Sequence, residues 1–167
     1  MIPENGDETR VHARLDQPAV EDLAARLAAV APAAGILSLE GDLGAGKSTF
    51  ARAFLRSLGV TGTIRSPTYT LVEPYAIDRP GAPTQVLHLD LYRLGDPEEL
   101  DYLGVRDELD HSLLLIEWLE KACGSLPADL GLSLRGDVSD PDRRDLVFDP
   151  LTHLGRDWLR RAGLGTD

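Results

Sequence analysis

The chain has 167 residues, 43% of them hydrophobic, and carries 17 Lys plus Arg against 28 Asp plus Glu, a formal net charge of −11. That length suits one domain with an adequate core and leaves no room for a second large one. An acidic surface repels phosphate backbones, which argues against extensive direct nucleic-acid binding and against anionic membranes, and the single cysteine, Cys123, excludes an internal disulfide or a cysteine metal cluster. No apolar run is long enough to span a bilayer, and residues 1–15 lack the apolar core of a signal peptide, so the cytoplasm is the expected compartment. Cys123 itself reads as a small hydrophobe at the end of a buried segment.

Residues 1–14 are polar and read as a loose arm, flexible over 1–8, or as a first edge strand from Thr9 to Ala13. A helix follows, with Asp16 as N-cap, Pro18 in its first turn, and Val20, Leu23, Leu27 and Val30 as one apolar stripe that Pro32 ends. Gly35 to Leu39 reads as a short buried strand. Directly after it, Gly41-Asp42-Leu43-Gly44-Ala45-Gly46-Lys47-Ser48-Thr49 matches G-x-x-x-x-G-K-[ST] at Gly41, Gly46, Lys47 and Ser48. Backbone N–H groups of such a loop wrap nucleotide phosphates, and glycines permit positive φ and close approach. The nucleotide-binding set is therefore Leu43, Gly44, Ala45, Gly46, Lys47, Ser48 and Thr49. Lys47 is expected on the β/γ-phosphates, and Ser48 offers its hydroxyl to Mg²⁺. Thr49 to Leu58 reads as a helix whose N-terminus faces the anion and which Gly59 closes.

Residues 61–68 are loop-like, and Tyr69 to Tyr75 alternates as a strand. A turn over Asp78 to Pro83 separates it from Val86 to Arg93, where Leu87, Leu89 and Leu91 share one side and His88, Asp90 and Tyr92 the other; the two segments suggest an antiparallel pair. Glu98 to Leu109 reads as one or two short helices. Ser112 to Trp118 is an apolar run ending in a carboxylate, as a central parallel strand does. Leu130 to Leu134 and Asp145 to Phe148 are late strands, and Thr152 to Ala162 a closing helix.

Mg²⁺ beside a phosphate loop is held by the loop hydroxyl plus a carboxylate at the end of a neighbouring strand, which makes Ser48 and Glu117 the metal candidates, Glu117 acting through a water. Asp90 can orient or deprotonate an attacking water if its face looks into the site, and is an ordinary exposed acid if that face meets solvent. Thr68, in the Ser66-Pro67-Thr68 turn, is placed as a residue sensing the γ-phosphate. Trp118 reads as core packing, although a tryptophan beside Glu117 could sense nucleotide state. The four histidines, His12, His88, His111 and His153, have no zinc-ligand spacing. The only asparagine is Asn5, so an Asn-Lys-x-Asp guanine reader is excluded, whereas a small-molecule kinase with a lid over residues 93–111 stays open.

Gly41 to Lys47, Ser66 to Tyr75, His88-Leu89-Asp90-Leu91-Tyr92-Arg93-Leu94, Asp96-Pro97-Glu98-Glu99-Leu100 and Ile116-Glu117-Trp118 come in an order and spacing that resemble the TsaE (YjeE) family of bacterial ATPases. The resemblance covers residues 35–120 densely and the rest loosely. It implies a single α/β P-loop NTPase domain over residues 1–167, with a mixed sheet, parallel at its core and antiparallel elsewhere, flanked by helices. It also implies a part in making threonylcarbamoyladenosine at position 37 of tRNAs reading codons that begin with A. There the ATPase partners TsaD and TsaB, uses ATP and Mg²⁺, and meets tRNA only through the complex. The family's functional residues map onto Lys47, Ser48, Asp90 and Glu117, so Lys47, Asp90 and Glu117 are the catalytic expectation, with Arg93 or a partner's arginine as charge stabiliser. The family commonly has Thr where this chain has Ser48. Near the C-terminus it tends to carry Gly-Arg where this chain has Asp142-Arg143-Arg144, which offers Arg143 to the nucleotide. A nucleotide-gated adaptor without essential hydrolysis is the alternative from another class.

Overall fold

The computed structural model describes residues 9–165, so the flexibility expected of residues 1–8 lies outside the described residues. In chain order it contains β1 (Arg10–Leu15), α1 (Gln17–Ala29), β2 (Gly35–Glu40), α2 (Lys47–Ser57), β3 (Val72–Ala76), β4 (Gln85–Asp90), α3 (Glu99–Tyr102), β5 (Leu113–Glu117), β6 (Leu130–Gly136), β7 (Arg144–Pro150) and α4 (His153–Arg161). Short 3₁₀ turns lie at Arg106–Glu108 and Leu119–Ala122. The strands form one sheet in the order β1-β7-β6-β2-β5-β4-β3. β2 runs parallel to β5 and β6, and β4 parallel to β5. β3 is antiparallel to β4, and β7 is antiparallel to both β6 and β1. The mixed sheet with a parallel core is thus present, flanked by helices.

Central strands covered on both faces must be apolar throughout, and β5, Leu-Leu-Leu-Ile-Glu, is buried at every position. Side chains alternate across a strand, which divides the interior in two. Leu37, Leu39, Val86, Leu113 and Leu115 pack with Leu27, Phe50, Phe54 and Trp158 from α1, α2 and α4. Ile36, Leu87, Leu89, Leu114 and Ile116 form the other core with Leu100 and Val105. By the same alternation, His88 and Asp90 of β4 and Glu117 of β5 lie on the face that α2 covers.

The helices start where the sequence says they can. Asp16 accepts from the Ala19 amide at 3.0 Å, and Thr152 from the Gly155 amide at 3.3 Å. Thr152 also donates to Asp129 Oδ1 at 2.7 Å, while Asp129 Oδ2 accepts from the Ile36 amide at 2.9 Å. One half-buried carboxylate therefore ties the start of β2 to the β7–α4 corner. Trp158 completes the clamp by donating its indole N–H to the Leu27 carbonyl at 2.9 Å.

Several boundaries depart from the sequence expectation. The strand expected from Tyr69 begins only at Val72, because Leu71 takes a φ of 65° and donates its amide to the Pro67 carbonyl at 2.8 Å, closing a turn over 67–71. The strand expected to reach Arg93 stops at Asp90, whose Oδ1 accepts from the Tyr92 amide at 3.0 Å and turns the chain. Helix α2 begins at Lys47, two residues before the expected start. Cys123 is exposed, not part of a buried segment; at a φ of 51° it closes the 3₁₀ turn after Trp118. The late strands run longer than their alternating stretches, because backbone pairing continues past the apolar positions to Gly136 and Arg144.

Candidate functional site

β2, β4 and β5 are parallel neighbours, so their carboxyl ends meet at one edge of the sheet, the position at which open α/β sheets bind ligands. From β2 the chain enters the glycine loop and then α2. Gly46 precedes α2 with a φ of 107° and no side chain caps the helix, which leaves the first-turn amides pointing into the loop. Gly41 has a φ of 147°, and a Cβ there would lie 2.6 Å from the Leu134 carbonyl oxygen, so only glycine lets the loop leave β2 against β6.

Register brings the acids together. Asp90 pairs with Glu117 across β4 and β5, and His88 with Leu115. Glu117 is 2% exposed. Its Oε1 accepts from Ser48 Oγ at 3.2 Å, and its Oε2 contacts His88 Nε2 at 2.8 Å. Lys47 donates Nζ to the Gly41 and Asp42 carbonyls at 2.5 and 2.9 Å and lies 4.5 Å from the centre of the Trp118 ring. Trp118 stands just beyond β5 at a φ of 61° and packs against Tyr92 at 5.0 Å between ring centres. Burial raises the Asp90 carboxyl above its ordinary value; the Tyr92 amide opposes that shift, the charge of Glu117 adds to it, and His88 and Lys47 oppose it more weakly.

A cleft of about 390 Å³ is lined by Leu43, Gly44, Gly46, Lys47, Ser48 and Thr49 from the loop side, and by Thr68, Asp90, Tyr92, Arg93, Glu117 and Trp118 from the strand ends. The face of β4 that carries Asp90 therefore looks into the cleft, which the strand pattern left open and the family resemblance implied. Thr68 shares a 2.6 Å hydrogen bond with Ser66, and Arg93 rests its guanidinium 4.7 Å from the Tyr69 ring centre. Ala45 lies on the opposite flank of the loop, where a hollow of about 690 Å³ opens toward the β6–β7 turn.

Arg143 is not among the residues lining these spaces. Its guanidinium contacts Asp16 at 3.6 Å, Asp140 at 3.8 Å and the Arg14 carbonyl at 3.4 Å. Its neighbour Arg144 lines the hollow instead and donates Nε to the Ala45 carbonyl at 3.0 Å. Sequence reasoning placed His88 on the Asp90 face but gave it no role, and read Trp118 as core although it walls the cleft. The signal for both was their position, two residues before Asp90 and one after Glu117.

Ser48 and Glu117 supply hard oxygen donors 3.2 Å apart, which suits Mg²⁺ bound by one or two protein oxygens with phosphate and water for the rest.

A glycine loop between a parallel strand and a helix, with a strand-end carboxylate against the loop hydroxyl, defines an α/β protein of P-loop architecture. Residues 15–145 match the family model described as "Threonylcarbamoyl adenosine biosynthesis protein TsaE". The chain is similar to the tRNA threonylcarbamoyladenosine biosynthesis protein TsaE of Haemophilus influenzae, with 47% identity over 123 residues, 72% of this chain and 73% of the relative. Its counterpart from Streptomyces coelicolor is 35% identical over 141 residues, 83% of this chain and 93% of the relative. The crystal structure of Bacillus subtilis YdiB superposes with a TM-score of 0.70 at 25% identity, covering 93% of this chain and 94% of that one. The chain belongs to the TsaE family.

Proposed function

We propose that this chain is the Mg²⁺-dependent ATPase subunit of tRNA threonylcarbamoyladenosine biosynthesis, acting with TsaD and TsaB in the cytoplasm and hydrolysing ATP to reset their complex. The observation that carries the reading is the convergence of Lys47, Ser48, Asp90 and Glu117 on one cleft at the carboxyl ends of β2, β4 and β5. The chain's matches to tRNA threonylcarbamoyladenosine biosynthesis proteins supply the pathway.

In this reading the loop amides and the uncapped N-terminus of α2 cradle the phosphates. Lys47 exchanges its two loop carbonyls for the β/γ-phosphates, a stronger charge-assisted contact. Ser48 would hold Mg²⁺ directly and Glu117 would hold it through a water, where the ion would supply positive charge against the phosphates. Asp90 takes the proton of the attacking water; its raised proton affinity makes it a better base than an exposed aspartate. Thr68 and Arg93 face the γ-phosphate end, and the nucleoside lies on the Arg144 flank of the loop. Leu43 at the cleft and Tyr69 beside Arg93 are 69% and 82% exposed, apolar surface suited to a protein partner. A net charge of −11 accords with tRNA being handled by those partners.

The test is ATP hydrolysis by the purified chain, alone and with TsaD and TsaB, for wild type, Lys47→Ala and Glu117→Ala. Partner-stimulated turnover that both substitutions abolish is expected. Absent stimulation, with phosphoryl transfer to a small molecule instead, replaces the reading with a kinase. An Asp90→Ala variant that still supports tRNA modification replaces it with a nucleotide-gated adaptor.

A further inference from the structure

His88 takes no part in the chemistry described above, yet it is one of the few polar side chains inside the molecule, at 3% exposure. It sits behind Glu117, outside the lining of the phosphate cleft, and cannot touch a ligand there. Its Nε2 lies 2.8 Å from Glu117 Oε2. A carboxylate only accepts, so Nε2 carries the proton of that bond. The other ring nitrogen, Nδ1, is buried with no hydrogen-bond partner.

A buried polar atom left unpaired has a cost, and a leucine or valine at this position of β4 would have avoided it. The return for that cost lies in the geometry of Glu117. This carboxylate has two oxygens and two partners, His88 on Oε2 and Ser48 on Oε1. Held by His88 alone, it would still present Oε1 to the loop hydroxyl. Without His88, its only side-chain hydrogen bond is the longer one to Ser48, at 3.2 Å, and the negative Asp90 stands in the adjacent register position. The carboxylate then turns away from the loop or draws Ser48 out of place.

We infer that His88 is a positioning residue that aims Glu117 at the divalent-cation position beside Ser48, so that cation affinity depends on a residue the cation never meets. The inference rests on the proposed Mg²⁺–nucleotide function. Losing an outer partner of a metal-side ligand typically weakens metal affinity by about 10- to 100-fold.

The probe is a mant-labelled, non-hydrolysable ATP analogue, its dissociation constant measured on the full chain with Mg²⁺ and in EDTA; the ratio of the two reads the metal contribution without turnover. His88→Leu removes the donor, His88→Asn places its N–H too short of Glu117, and His88→Gln restores an N–H at the reach of Nε2. Expected are a ratio reduced by about 10- to 100-fold in the Leu and Asn variants, metal-free affinity near that of wild type in all three, and recovery in the Gln variant to within about threefold of wild type. Should His88→Leu fail to fold, the Asn and Gln variants, both polar, decide the same question between them. The inference is overturned if the ratio is unchanged in the variants, if Gln falls as far as Asn, or if binding drops equally with and without Mg²⁺, which is what damaged packing alone would do. A wild-type protein whose binding Mg²⁺ does not strengthen overturns the underlying function as well, and that arm is read before any variant.

Discussion

Gly41→Ala tests whether the loop geometry makes the phosphate site. The added Cβ would lie 2.6 Å from the Leu134 carbonyl oxygen and 3.1 Å from the Ala45 Cβ. Carbon and oxygen approach comfortably only to about 3.3 Å, so the two backbones must part by roughly 0.7 Å. β6 is locked between β2 and β7, which leaves the loop to move. A positive φ adds strain of about 1–3 kcal/mol for a residue with a side chain. With phosphates bound as proposed, the loop amides would then miss them, and one lost hydrogen bond to a charged group is worth about 1.5–3 kcal/mol, or roughly 10- to 100-fold in nucleotide affinity. Gly44→Ala is the control: its φ is 79°, so it suffers backbone strain, but nothing lies within 4 Å of its Cβ. Calorimetric titration with ADP and Mg²⁺, alongside urea unfolding of each variant, separates affinity from stability. Gly41→Ala binding as tightly as Gly44→Ala would refute the argument, because the clash is the only difference it claims.

Asp90→Asn is expected to reduce hydrolysis by at least about 100-fold, measured as partner-stimulated turnover. Because burial raises the folded Asp90 pKa above 3.8, the folded chain binds that proton more tightly than the unfolded one; ionised Asp90 costs stability above its folded pKa, and the cost is relieved as pH falls through it. Asp90→Asn should therefore melt higher than wild type at pH 7, with the margin shrinking as the pH approaches 3.8 in thermal scans. Gly155→Ala would place a Cβ 1.9 Å from the Asp129 carbonyl oxygen, and urea unfolding should show a loss of about 3 kcal/mol or more. Thr152→Ala removes the α4 cap and the bond to Asp129, for a loss of about 1–2 kcal/mol in the same assay.

Much of the fold was legible because its signals are local. Asp16 and Thr152 begin helices through their own side chains, and the apolar run at Leu113 could only be a strand covered on both faces. The glycine loop announced itself through residues whose backbone demands no neighbour can supply. Where the strand expectation failed, a local turn competed with the alternating pattern. Tyr69 to Leu71 alternates like a strand, yet the Pro67 carbonyl captures the Leu71 amide and makes a turn.

The sequence by itself determined which residues form the glycine loop, since spacing within one loop of Gly41, Gly46, Lys47 and Ser48 is a matter of covalent neighbours. Only the tertiary structure decided what stands opposite them. Asp90 and Glu117 become neighbours because β4 and β5 pair in parallel, in a register set by packing across both cores. His88 acquires a partner 29 residues away by the same register. Arg144 rather than Arg143 touches the loop because a turn of one residue more or less reverses the side of the chain, and no local pattern records which way it went.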